Sequence, residues 1–475
     1  MALVALATPL LYAGLIAFQL GAYHGAQWWL ADIITLRRDF YQRILAERGE
    51  APKTLVVGGS GTLFGVDGGA IETATGRTTL NFGLHAGLDI DMLMAPASAF
   101  IGRGDIVLMP LEFEQYSRPT VTDLSAESFL AFLYPYAGAL APERLPGLIA
   151  GAQPISVLEG VGDRIVDLLI GRPRGRHDPA ALKADWQQIR DQGLPAGSDH
   201  TLYDYSSMNA HGDKEVLADT PKDAIDTLRR QATPAQSLIT PYTSDALAAW
   251  RAALAARGAR LALTWPILIE DDLGTLTTPE YWHRIIALAK AADEAGAPLH
   301  CDPIGAIVPV AYRYDTPYHA NKKGSLIYSA GLAACLAGPE PTLFDWRGAD
   351  PAALAAAAGA RLAALKVPSA PFVFGYERNI AILAGLHKAI EAAHAESGRY
   401  PDQLPPFDPM LDLKLAGSPA FMPWYRTDGT DYKLLAEDPH DCFAVSESWP
   451  TLIDPSHPVE GGCAYGYWTA NAAKW

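Results

Sequence analysis

Cysteine is scarce in this chain: four in 475 residues, Cys301, Cys335, Cys442 and Cys463, with no Cys-x-x-Cys pair and no Cys/His ligand spacing. Protein zinc sites depend on such spacing, so no metal and no other cofactor is expected. Basic clusters are lacking too, with 37 Lys and Arg against 53 Asp and Glu and a formal charge of −16. Affinity for nucleic acid rests mainly on neutralising phosphates, so no nucleic-acid partner is expected. Charge is absent altogether between Ala2 and Leu30, and no internal repeat is evident.

That uncharged stretch contains the apolar run Leu3 to Leu20 followed by the aromatic-rich Tyr23 to Leu30. Its length suits a membrane-spanning helix, and it lacks the charged start and small-residue cleavage site of a signal peptide. Residues 1–30 therefore read as a transmembrane anchor and residues 31–53 as a stalk. Arg37 and Arg38 follow the run, and the positive-inside rule alone would put the remainder in the cytoplasm. Export is the reading taken here because the two arginines lie well beyond the apolar run. If exported, Cys442 and Cys463 can close a disulfide loop of about 20 residues, stabilising by roughly 3 kcal/mol, or they stay as two thiols.

With 49% hydrophobic and 19% charged residues the chain is a folded one, long enough for two to four domains. Short apolar runs alternate with helical stretches: Leu55 to Val57, Thr78 to Asn81, Asp105 to Leu111, Arg260 to Pro266 and Ile304 to Val310. Between them lie helices at Ser244 to Arg257 and Thr278 to Ala295, with Lys323 to Leu336 closing the unit. This is the pattern of an α/β fold with a parallel sheet. Residues 54–116 and 234–340 form that domain and residues 117–233 read as a helical and loop insertion. Residues 341–371 are an Ala-rich helix and linker, and residues 372–475 form a small α+β unit.

Ser60 stands in Gly58-Gly59-Ser60-Gly61, between the first strand and the next helix. Such a turn exposes a hydroxyl at the carboxyl edge of a sheet, where ligands of open α/β sheets collect. Tyr314-Asp315-Thr316-Pro317-Tyr318-His319 lies late in the domain, just before a helix. A His can serve as general base to a Ser hydroxyl, with a carboxylate orienting it.

Three blocks, in order, resemble those of the SGNH (GDSL-type) ester hydrolases. Gly58 to Gly65 is similar to the block that carries the nucleophile, Asn81 to Gly87 to the block with an oxyanion-hole glycine, and Asp315 with His319 to the block that supplies the rest of the triad. The resemblance implies a flavodoxin-like three-layer sandwich with Ser60, His319 and Asp315 catalytic. It implies oxyanion donors from the Ser60 amide and from Gly87, or Gly83 as second choice. Two departures stand out. The last block has one residue more than Asp-x-x-His, and the third strand runs into Leu111-Glu112-Phe113-Glu114 where the family has Gly-x-Asn-Asp. A carboxylate donates to an oxyanion only when protonated. Either Asn81 or another donor substitutes, or Glu112 and Glu114 serve binding, or the site is degenerate. SGNH-like proteins of exopolysaccharide and cell-envelope pathways often depart at this block.

Tyr203, Asn209 and His211, in a polar-aromatic loop of the insertion, suit a sugar face. From Asn379 onward the chain resembles the soluble part of type II secretion pseudopilins, through the helix Ile382 to Ala395, then Gly398-Arg399-Tyr400-Pro401 and Asp428 to Leu434. The expectation is a serine esterase or O-acyltransferase anchored in a bacterial inner membrane, with its soluble domains in the periplasm. It would act on acyl groups of a polysaccharide and meet envelope partners through the pilin-like unit. The alternative is a non-catalytic glycan-binding or assembly scaffold.

Overall fold

A computed structural model of the chain describes residues 2–49, 51–174, 177–192, 200–215, 231–235, 239–271, 273–365, 375–404, 423–438, 452–459 and 463–475. The chain divides into two compact units, Met1–Leu217 with Arg230–Pro368, and Ala218–Arg229 with Ser369–Trp475.

The first unit is mixed α/β. Its strands are β1 (Thr54–Gly58), β2 (Thr79–Gly83), β3 (Ile106–Pro110), β4 (Arg260–Thr264), β5 (Leu268–Ile269), β6 (Leu299–His300) and β7 (Ile307–Val308). Five of them make one parallel sheet in the order β2-β1-β3-β4-β6. Every residue of β1, β2 and β3 is buried, as expected of strands covered on both faces. Helix Gly68–Thr75 packs on Lys322–Leu336, and helix Ile90–Ala97 packs on Pro241–Ala256. The arrangement is consistent with a three-layer α/β fold.

The last sheet strand lies earlier than the expected run Ile304 to Val310. β6 pairs with β4 at residues 299 and 300, while Ile307–Val308 pairs with Leu268–Ile269 in a separate two-stranded ribbon. Pro303 precedes that run and Pro309 lies within it, which limits its ladder hydrogen bonds.

Residues 31–53 are not a stalk. Helix Trp28–Arg48 buries Leu30, Ile33, Leu36, Arg37, Phe40 and Tyr41, a stripe at three- and four-residue spacing against the first unit. Arg37 donates to the Gly212 and Gly83 carbonyls and Tyr41 to the Asn81 carbonyl. Arg37 is thus part of the fold of the first unit. Among the described residues no helix is long and apolar enough to cross a membrane.

Cys301 and Cys335 form a disulfide, a pairing without a spacing motif to announce it. Cys463 is also disulfide-bonded, and Cys442 lies outside the described residues.

In the second unit, helix Gly375–Ser397 precedes an antiparallel sheet of β8 (Trp424–Thr427), β9 (Tyr432–Asp438) and β10 (Cys463–Trp468), with β9 in the centre. Leu383, Leu386 and Ile390 of the helix share a core with Tyr432, Leu434 and Tyr465 of the sheet.

Candidate active site

Ser60 is the first residue of helix Ser60–Gly65, two positions beyond the end of β1. Only glycine fits at position 59, where a Cβ would collide with the Glu112 carboxylate and the Ala86 backbone. Glu112 stands two residues beyond the end of β3, so neighbouring parallel strands deliver the two residues to one edge. Its carboxylate accepts from the Gly61 amide at 2.7 Å and the Gly59 amide at 3.3 Å, clasping the turn on either side of Ser60. No acceptor among the described residues takes the Ser60 amide, which is one of the orphan donors of a helix start.

Burial pushes the Glu112 carboxyl up to about 7, with the two amides and a nearby Glu114 as smaller influences. No cationic side chain among the described residues pairs with it. Glu112 is thus an acid that changes charge near neutrality beside the candidate nucleophile.

Asp315 and His319 face each other across a loop closed by the Arg313 and Ala320 bridge, with the Tyr314 amide donating to the His319 carbonyl at 2.7 Å. The additional residue between them is accommodated inside this closed loop. His319 Nδ1 lies 2.6 Å from Asp315 Oδ1, in a hydrogen bond that leaves Nε2 as the nitrogen with no partner among the described residues. The imidazole stacks on the Phe64 ring with centroids 4.5 Å apart. Phe64 follows Ser60 by four residues, so the two share a face of their helix, and His319 is stacked on the residue one turn beyond Ser60. Ser60 is buried to 8% exposure, and its hydroxyl is not hydrogen bonded to His319.

Tyr203 reaches the same place from the insertion. Its hydroxyl donates to Asp315 Oδ2 and lies 3.4 Å from His319 Nδ1, and its ring packs edge-on against Phe64. Burial and the hydrogen-bonded Asp315 hold its phenol well above the ordinary value. Lys214 fixes this loop by donating to the carbonyls of Leu202, Tyr203 and Asp204.

The other expected residues are placed as follows. Gly83 is wedged under helix Ser60–Gly65, where a Cβ would collide with the Leu63 backbone, and its amide donates to Asn81 Oδ1. Asn81 is buried and gives its amide hydrogens to the Thr62 and Val66 carbonyls, which ties down the end of helix Ser60–Gly65. The Gly87 amide donates to His85 Nδ1 at 2.9 Å. Exposed Glu114 accepts from the Tyr318 hydroxyl at 2.8 Å, linking its helix to the His319 loop. Asn209 accepts from the His211 and Asp213 amides within its own turn, and His211 Nε2 lies 2.8 Å from the carbonyl of Thr79, at the amino end of β2. The structure therefore brings Ser60, Glu112, Tyr203, Asp315 and His319 together and leaves Asn209 and His211 at the opposite end of the sheet.

His85 lies inside the Asn81 to Gly87 block without a role expected of it, and Trp29 carries no motif in the sequence. Burial, with the nearby His319 and Arg118 as smaller influences, pushes the His85 imidazole below its ordinary value, and Trp29 stands edge-on to both His85 and Tyr203. Their one signal is the position of His85 in the loop after β2. Among the described residues no group of acidic, Cys and His side chains is arranged to hold a metal ion. No protein-family model, curated protein or solved structure matches the chain.

Proposed function

We propose that the first unit is an SGNH-type serine esterase or O-acyltransferase that acts on acyl groups, acetyl foremost, of an envelope or extracellular polysaccharide. The observation that carries this reading is the 2.6 Å bond between Asp315 and His319, with the imidazole stacked on Phe64, one turn beyond Ser60 in the helix that starts after β1. The strand order, which has its first strand between the second and third, is that of flavodoxin-like doubly wound sheets and agrees with the family resemblance.

In the proposed reaction Ser60 Oγ attacks the acyl carbonyl carbon while its proton passes to His319 Nε2. Asp315 orients the imidazole and stabilises its charge, and Tyr203 holds Asp315. The negative carbonyl oxygen takes the Ser60 amide hydrogen bond. Below about pH 7 Glu112 is neutral and adds a second donor in place of the family's Asn, whereas its charged form opposes the oxyanion. The sugar hydroxyl leaves with the proton from His319, giving acyl-Ser60. Water or another sugar hydroxyl then attacks the acyl carbon and gives its proton to His319, which passes it to the departing Ser60 Oγ, restoring the free hydroxyl and a neutral imidazole.

The disulfide between Cys301 and Cys335 supports an exported location, since such bonds persist in oxidising compartments. The helix and three-stranded antiparallel sheet of the second unit support its pilin-like reading as a recognition module. A scaffold reading is favoured by one observation, the missing hydrogen bond between Ser60 and His319. Catalytic contacts of this type often tighten only with substrate bound. Release of acetate from p-nitrophenyl acetate and acetylated oligosaccharides, with and without Ser60→Ala, tests the two. Turnover that depends on Ser60 supports the enzyme, and its absence from a folded protein supports the scaffold.

A further inference from the structure

Helix Pro154–Ile170 is amphipathic the wrong way round for a water-soluble surface. At about 100° per residue, Ile155, Leu158, Ile165, Leu168 and Leu169 fall on one broad face, and Ser156, Gly160, Asp163 and Asp167 fall within an opposing arc of about 60°. The apolar face is the exposed one: Leu169 is 80% exposed and Leu168 65%. The polar face is turned to the protein. Ser156 donates to Glu127, Asp163 accepts from the His24 amide, Asp163 and Asp167 both bind Arg174, and Arg164 donates to the Phe18 and Leu20 carbonyls.

That same face meets helix Ala2–Gln19. At Gly160 a Cβ would collide with Gln19 Oε1, so the glycine permits the close approach. Among the described residues twelve large apolar side chains are exposed, and nine of them lie on these two helices. Apolar exposure is thus concentrated in one place, as in a surface built for a non-aqueous neighbour.

We infer that helices Ala2–Gln19 and Pro154–Ile170 form a two-helix element embedded in the hydrocarbon of a lipid bilayer. A lipid phase is the occupant that fits both helices. Residues 2–18 carry no charged side chain on any side, a composition that a one-sided protein contact leaves partly in water. Helix Pro154–Ile170 comes from sequence far from the amino terminus, so the insertion and the terminus together make the membrane contact. His24, bound to this element, lies five residues before Trp29, which packs edge-on against Tyr203.

The test places a nitroxide on the full chain reconstituted in phosphatidylcholine and phosphatidylglycerol vesicles, at Leu169→Cys, at Leu158→Cys and at the exposed control Thr73→Cys. Collision rates with oxygen and with a water-soluble nickel chelate are then compared. The inference expects an oxygen-to-nickel ratio several-fold higher at positions 158 and 169 than at 73. Equal ratios at all three positions overturn it. Loss of both collision rates with dipolar broadening between labels overturns it in favour of a second copy of the chain.

Discussion

The two ends of strands β1 and β3 carry opposite solutions to a buried carboxylate. At the amino ends, Asp105 takes the Lys53 ammonium at 2.6 Å, the Lys53 amide at 3.0 Å and the Gly102 amide at 2.7 Å. Charge there is matched within the fold. At the carboxyl ends Glu112 is as deeply buried as Asp105, yet it has two amides and no cation, with Ser60 between those amides. A matched pair serves architecture, whereas an unmatched acid poised near neutrality is a common mark of a working site. The second unit repeats the first solution: fully buried Lys433 bonds Asp454, Ser456 and the Trp475 carbonyl.

Substitutions at the two ends sharpen this contrast. The largest effect is expected at the carboxyl end, where Ser60→Ala should lower acyl release by roughly 10,000-fold or more while the melting temperature stays within a few degrees. Asp105→Ala should do the reverse, costing about 3 to 5 kcal/mol in denaturant unfolding by leaving Lys53 buried without its partner. Activity per folded molecule should be little changed.

Glu112→Gln addresses the unmatched acid itself. The folded chain holds this proton up to about pH 7, whereas the unfolded chain releases it near the ordinary carboxylate value. Stability linked to Glu112 is therefore full below that ordinary value and is lost as pH rises through 7. Unfolding from pH 4 to 9 should show the wild type losing roughly 2 to 3 kcal/mol relative to Glu112→Gln, and the variant should flatten any fall in activity above pH 7. If the two profiles run parallel, Glu112 is not the poised group. The smallest effect is expected at Tyr203→Phe, which removes one hydrogen bond to Asp315. A loss in kcat of about 10-fold, with KM nearly unchanged and the pH profile of kcat displaced, would mark a positioning role.

Much of the sheet was legible from local pattern. The runs at Leu55, Asp105 and Arg260 are apolar enough to announce buried strands, and Gly58-Gly59-Ser60-Gly61 announces the turn after the first. What escaped depends on tertiary pairing. β6 is two residues long and follows from its ladder to β4. The burial of helix Trp28–Arg48 was written in its three- and four-residue apolar spacing, which the polar residues between obscured. The bond between Cys301 and Cys335 joins residues 34 apart without a motif.

The candidate site shows the same division. Asp315 and His319 are four residues apart, so one loop brings them together and sequence can suggest it. Tyr203 lies 112 residues from Asp315, and only the folded insertion delivers its hydroxyl to that carboxylate. Glu112 stood out as a departure from a motif, but its titration near neutrality arises from burial, which no local pattern carries.

In the proposed reaction Ser60 at the carboxyl end is a nucleophile activated by His319. Treating the full chain with a fluorophosphonate and mapping the adduct by peptide mass spectrometry tests it most directly. One phosphonyl group is expected on the peptide containing Ser60, formed far more slowly in His319→Ala. An unlabelled folded protein, or an adduct on another residue that forms equally well without His319, would contradict it.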